Sequence, residues 1–418
     1  MAWLKKSLSK IKNYTALCYF ILVLILFLPS AITMPSLSFR SAIVTAIGVD
    51  KNDEEISVSV LALSNISKSE MNENSKLIQG TANTLANAIS SLEASIGRRV
   101  RMGHVGYVVI SRDFSDVNVA DVLSTLIVTG NVSNTVPLLM CEGKASDVLD
   151  NALKMEQSSS YKMREMINNE FNETYTKDIS IDAFLKGYYS DIGVSTLGYV
   201  VLENDKTQGI ESSSQGAEQS SGQSSQSGGQ SGQTSEQNNV ISYKTQHAVF
   251  KDGKFAYLFT EQEMNGVNWL VENNLQKIID IDGISEQGLV DATVTFSIQN
   301  QSIKPVVSFI NGRPYITFEI SLTLSPVELI QQNNTQKSVK LLKLSDNMQQ
   351  KINEVIKKDV ALALQKMREN KTDVIGVYRI LYSHYHRFMD FLDTLADRQD
   401  FLRYVNIGVD VESFINSN

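Results

Sequence analysis

The first apolar stretch after the amino-terminal region, SAIVTAIGVD at residues 41–50, is rich in β-branched residues. A polar KNDEE (51–55) follows, and ISVSVLALSNI (56–66) then alternates apolar and polar positions, so the pattern predicts a β-hairpin. The period changes over residues 79–97, where Leu85, Ala88, Ile89 and Leu92 recur at helical spacing, with Thr81 as expected N-cap and Gly97 as expected C-cap. GYVVIS (106–111) predicts a buried strand. Residues 116–130 predict a helix capped by Asp116 or Asn118 and closed by Gly130, residues 135–143 a strand, and residues 144–157 a helix. Strands alternating with helices predict an α/β domain over 38–156.

A middle segment, 157–205, is a polar helical stretch ending in the strand-like TLGYVVLEN. From Ser212 to Gln233 every residue is Ser, Gln or Gly except Ala217 and Glu218, which predicts a flexible linker over 206–240. A carboxy-terminal α+β domain is expected over 241–418. Lys251-Asp252-Gly253-Lys254 predicts a hairpin turn, and 261–274 a short amphipathic helix. Residues 289–300, 302–312 and 313–329 predict three long antiparallel strands, with Asn311-Gly312 turning the second into the third. Residues 344–373 predict a long helix with Met348, Ile352, Val355, Ile356, Val360, Leu362 and Leu364 mostly on one side. A further helical region (373–395) and an alternating strand (404–415) close the chain. The expected fold class is multidomain mixed α+β.

Residues 1–37 read differently. Lys5, Lys6, Lys10 and Lys12 precede an uncharged apolar run at 15–33, close to the length of about 20 residues that spans a bilayer as helix. The positive-inside rule puts the lysines in the cytoplasm and the bulk of the chain outside it. Ala31-Ile32-Thr33 is a poor cleavage site, so an uncleaved anchor is expected. Cys18 sits near the start of the run and reads as a membrane residue, not a lipid acceptor.

Composition narrows the chemistry. The 418 residues carry a formal net charge of −8, which argues against a general nucleic-acid binder. Cys18 and Cys141 are far apart and His104 and His247 are isolated, which leaves no structural zinc site, and Cys18 lies in the apolar run, which leaves no disulfide scaffold. His384 and His386, two apart, cannot share a metal from one helix, and no HExxH, GxSxG, GxxxxGK[ST] or GxGxxG is present. No cofactor and no catalytic residue are expected. Trp269 reads as core, and Lys254, Glu261 and Glu263 read as surface residues without a packing role. Arg98, Arg99 and Arg101 crowd one turn before a buried strand and are the candidate contact with an anionic partner. A non-enzyme is expected. A solute-binding protein is the alternative, and a cell-wall hydrolase lacks any singled-out carboxylate pair.

Five segments, in order, resemble the spore germination receptor C subunit, the Ger(x)C family. They are 46–64 with AIGVD, 80–111 with GRRVRMGH, 136–150 with EGKASDVLD, 246–270, and 373–391 with DVIGVYR. In the fourth, Ala248, Val249, Phe250, Lys254, Glu263, Gly266, Trp269 and Leu270 carry the match. The resemblance implies a non-enzymatic subunit of a nutrient receptor in the spore inner membrane. It would act beside a transporter-like and a larger multispan membrane protein, on the outer face of that membrane. The chain departs from the family in having no Cys after its apolar run and in its Ser/Gln/Gly insertion.

Overall fold

The computed structural model describes residues 41–52, 54–63, 75–155, 163, 165, 167, 178–204, 241–271, 277–285, 291–330 and 345–415. The expected anchor (15–33), the expected Ser/Gln/Gly linker and most of the polar helical stretch after residue 157 lie outside them. Among the described residues no helix is long and apolar enough to cross a membrane.

β1 (Ser41–Asn52) and β2 (Glu55–Leu63) form the antiparallel hairpin that their pattern predicts. β3 (Ser75–Ala82) adds antiparallel to β2 and takes the first residues of the expected 79–97 helix. The helix, α1, is Leu85–Ile96, and its N-cap is Thr84, whose Oγ1 accepts from Asn87 N at 3.3 Å. Thr81 is therefore not the cap: its backbone is committed to pairing with Ser57 on β2. Gly97 closes α1 at φ 68°, in the left-handed region that glycine reaches without steric cost.

β4 (Arg99–Arg101) and β5 (Tyr107–Ser111) run parallel to β1, beside Ser41–Ile43 and Ala46–Val49 respectively. α2 (Val119–Gly130) is capped by Asn118, whose side chain accepts from Ala120 N at 3.0 Å. β6 (Leu138–Cys141), α3 (Ala145–Met155), α4 (Ile181–Tyr188) and β7 (Val194–Asn204) follow, with β5, β6 and β7 parallel neighbours. β8 (Ile241–Lys251) and β9 (Lys254–Phe259) then extend the sheet antiparallel, giving the order β3-β2-β1-β5-β6-β7-β8-β9 with β4 beside β1. The boundary expected at 241 thus separates two strands of one sheet. The register sets Phe250 of β8 against Phe184 of α4, ring to ring at 5.3 Å, so β8 packs with the first body.

This sheet is buried on both faces, as parallel sheets are. Val108, Ile110, Leu138 and Met140 pack under α1, α2 and α4, while Tyr107, Val109 and Leu139 face α3 and the second body.

The second body opens with α5 (Glu261–Asn268) and a four-stranded sheet in the order β10 (Lys277–Ile284), β11 (Ala292–Ile310), β12 (Arg313–Ile330), β13 (Asn406–Ile415). β13 is parallel to β12 and the other pairs are antiparallel. The segments 289–300 and 302–312, expected as two strands, are one: β11 runs through an irregularity at Ile298/Asn300, where buried Gln301 donates to the Asn268 carbonyl at 3.2 Å. The expected turn at Asn311-Gly312 is present, with φ 51° and 75°. α6 (Asp346–Glu369) buries Met348, Ile352, Ile356, Val360 and Leu364 against the alternating inner face of the sheet (Phe296, Phe318, Ile320, Leu322). Residues 373–395 resolve into α7 (Val377–Tyr382) and α8 (Tyr385–Asp393), broken at Ser383-His384. The multidomain mixed α+β expectation is met.

Candidate functional site

Arg99 and Arg101 lie on β4, exposed and on one side of the strand, with Arg98 just before it. The segment expected as a basic turn is therefore a short strand, held in place because Val100 N donates to Glu93 Oε1 at 3.0 Å and β4 pairs with Ser41–Ile43. The three guanidinium-bearing residues flank the start of β1. Arg98 also lines a small surface depression with Lys76, Ala42 and Ile96. His384 and His386 are exposed and sit at the helix break and on α8; His384 meets Phe309 edge-on at 6.0 Å.

The residues that carry the resemblance turn out to join distant elements. In AIGVD, Gly48 lies against α3: a Cβ there would come within 3.3 Å of the Ala145 backbone. Two residues on, Asp50 is 2% exposed and caps α3, accepting from Ala145 N at 2.6 Å and Ser146 N at 3.0 Å. Burial pushes the Asp50 carboxyl above its ordinary range, against the pull of those two bonds. The GKAS segment supplies the other half of this contact. In DVIG, Asp373 does the same locally, accepting from Gly376, Val377 and Tyr378 N at 2.7–2.9 Å, with Gly376 at φ 82°.

In TEQEMNGVNWL, Thr260 and Glu263 form a capping box at the start of α5. Glu263 also lies 3.9 Å from Lys366 of α6, so it has a packing role that its sequence context did not reveal. Gly266 lets α5 and α6 touch: a Cβ there would come 2.1 Å from the Asp359 carbonyl. Trp269 is core, as expected, and its Nε1 donates to buried Asp359 at 3.2 Å, while Gln262 donates to the other oxygen at 3.0 Å.

An open depression of about 940 Å³ lies at the carboxyl ends of β1, β5 and β6, where β2 and β5 leave β1 on opposite sides. Sequence reasoning did not single out its residues, because they are brought together only by the parallel strand order. Arg112 Nη1 meets both Glu142 oxygens at 3.1 and 2.8 Å, its guanidinium lies 5.3 Å over the Phe255 ring, and the Tyr199 hydroxyl donates to Glu142. The Tyr199 and Arg112 bonds hold the Glu142 carboxyl below its usual range. Lys51 pairs with Asp116 at 3.3 Å. Each of these two cations already faces an acid, and Asp113 adds a third carboxylate to the lining. Cys141 lies buried beneath it, its thiol pushed far up by burial. No group of three His, Cys, Asp or Glu able to hold a metal occurs among the described residues.

Two family models match the chain: "Spore germination protein N-terminal domain" over residues 40–202, and "Spore germination B3/GerAC like, C-terminal" over residues 245–418. Spore germination protein KC of Bacillus subtilis (strain 168) is 25% identical over 169 residues, 40% of this chain. The match spans 39% of the length of that relative. The crystal structure of the GerBC protein overlaps 88% of this chain and 96% of its own, at 15% identity and a TM-score of 0.48. With both halves matched in order, the chain belongs to the Ger(x)C family of spore germination proteins.

Proposed function

We propose that this chain is the extracytoplasmic, non-catalytic C subunit of a nutrient germinant receptor, and that it acts through contacts with integral-membrane partner subunits. The observation that carries the reading is the ordered match of both halves to spore germination families. The geometry supports a role without chemistry of its own: the residues that carry the family resemblance cap helices and close the contact between α5 and α6. In this reading the apolar run at 15–33 holds the chain at the spore inner membrane, and the transporter-like and larger multispan subunits are its partners. Arg98, Arg99 and Arg101 are the contact with an anionic partner surface. Their support is position: β4 presents them side by side, exposed, against Ser41–Ile43 at the start of β1.

Replacing all three arginines by Ser tests the contact. Exposed charges contribute little to stability, about 0–1 kcal/mol each, so the variant folds. It is expected to pull down less of the membrane partners than wild type at equal expression. Partner recovery at the wild-type level would refute the contact.

A further inference from the structure

The end of the first sheet that carries the start of β1 is basic and partly apolar. The register sets Ser41 beside Arg99, Ile43 beside Leu63, and Ala62 beside Lys76, so β1 to β4 present that end together. A shallow depression there has Ala42, Ala62 and the half-buried Leu63, Ile78 and Ile96 as its apolar floor. Its charged lining residues are Lys76 and Arg98, and no acid lines it among the described residues. Arg99 stands exposed next to it on β4. Glu93 of α1 accepts from Val100 N, which turns one of its oxygens to the β4 backbone.

The chain as a whole is acidic, with a formal net charge of −8. An anionic surface therefore repels most of it and attracts a locally basic end. Chain length keeps this end close to a membrane. Residues 34–40 separate the apolar run from Ser41, and fully extended they reach at most about 25 Å. With 15–33 in the bilayer, Ser41 stands no farther than that from its surface. The other end of β1, at the turn before Glu55, is about 35 Å along the strand. Half-buried apolar side chains ringed by cations suit the headgroup boundary of a bilayer.

We propose that this end of the first body, with Lys76, Arg98 and Arg99 around the Ala42–Ile78–Ile96 depression, docks on anionic phospholipid headgroups. The inference rests on the membrane-anchored reading above and names lipid as the anionic surface the arginines meet. An anchor holds the chain to the bilayer, whereas this contact fixes which end of the body faces it. Each basic side chain near such a surface shifts the docking equilibrium about fivefold, so the three together shift it about a hundredfold.

The test uses the full chain in nanodiscs without partner subunits, made of phosphatidylcholine alone or with phosphatidylglycerol, and carrying a headgroup nitroxide quencher. In a Cys18→Ala background the remaining Cys141 is buried, with its thiol pushed far up, so a thiol-reactive fluorophore goes to an added cysteine. Ser95→Cys places it on α1 beside Ile96, and Glu54→Cys places it on the turn at the far end of β1; both positions are exposed. Phosphatidylglycerol is expected to quench the Ser95 label and spare the Glu54 label. About 1 M salt, where the Debye length is about 3 Å, should release the quenching. Lys76→Ser, Arg98→Ser and Arg99→Ser together should release it at low salt, with an unchanged melting temperature. A Ser95 label that stays bright, equal quenching of both labels, quenching independent of phosphatidylglycerol, or a triple variant quenched like wild type would overturn the proposal. Incorporation itself reports the anchor, so a chain that stays out of the discs removes the anchored reading and this inference with it. A bright Ser95 label together with lost partner recovery in the arginine variant would assign the arginines to a protein, overturning this inference and leaving the receptor reading in place.

Discussion

Asp50→Ala removes a contact that links residues 95 apart in sequence. Asp50 reaches from β1 to close the amino-terminal end of α3, and both N–H groups it accepts from are buried. Loss of a helix cap costs about 0.5–2 kcal/mol. Leaving a buried donor unsatisfied costs about 1–3 kcal/mol. These overlap, because the cap is the pair of bonds, so the combined local cost is about 2–4 kcal/mol. Local opening of α3 is the direct readout, since a two-body chain does not unfold as one unit. Amide hydrogen exchange over 147–155 should accelerate about 30- to 700-fold in Asp50→Ala, while α5 is unchanged. Asp50→Asn, which keeps one acceptor oxygen, should fall between. Exchange in α3 within threefold of wild type for Asp50→Ala would refute the capping role and leave the AIGVD segment without a physical reason.

Two further perturbations have defined outcomes. Gly266→Ala should lower the melting temperature, because a Cβ 2.1 Å from the Asp359 carbonyl forces α5 off α6, at a cost of about 1–3 kcal/mol; an unchanged melting temperature would show that the helices slide freely. Glu142→Gln should remove a pH-dependent part of stability. The folded carboxyl lies below its unfolded value, so its contribution is present above the unfolded pKa of about 4.3 and is lost as pH falls through the folded one. Glu142 is half-exposed, so the wild-type advantage in urea unfolding is at most about 1 kcal/mol near pH 6, shrinking toward pH 3; a gap that grows as pH falls would contradict the assignment.

The sequence revealed what depends on neighbours in the chain. Asp252-Gly253 and Asn311-Gly312 mark their turns because both residues of each take positive φ, which favours Asn, Asp and Gly. The spacing of Met348, Ile352 and Ile356 marks α6 because it faces a single apolar sheet. What was missed depends on contacts made elsewhere. β10 alternates too briefly to be seen, and pairs only with the first residues of β11. The break expected near residue 301 is absent because buried Gln301 faces a carbonyl from α5. Glu263 looked like surface because its partner, Lys366, comes from a helix about a hundred residues later. The Arg112–Glu142–Tyr199 cluster forms only when strand order is set, so no local pattern announces it. The resemblance to Ger(x)C proteins, in contrast, was carried by residues that turn out to hold distant elements together, Gly48, Asp50, Gly266 and Trp269, and by Asp373, which caps its own turn.

The central claim is that this chain works as a receptor subunit through membrane partners. Affinity purification of the tagged full chain from detergent-solubilised spore inner membranes, with mass spectrometry of what it brings down, tests it directly. The account predicts two multispan membrane proteins, one transporter-like and one larger, recovered in proportion to the chain and lost when the chain is absent. Recovery of the chain alone, under conditions that keep other inner-membrane complexes intact, would contradict it.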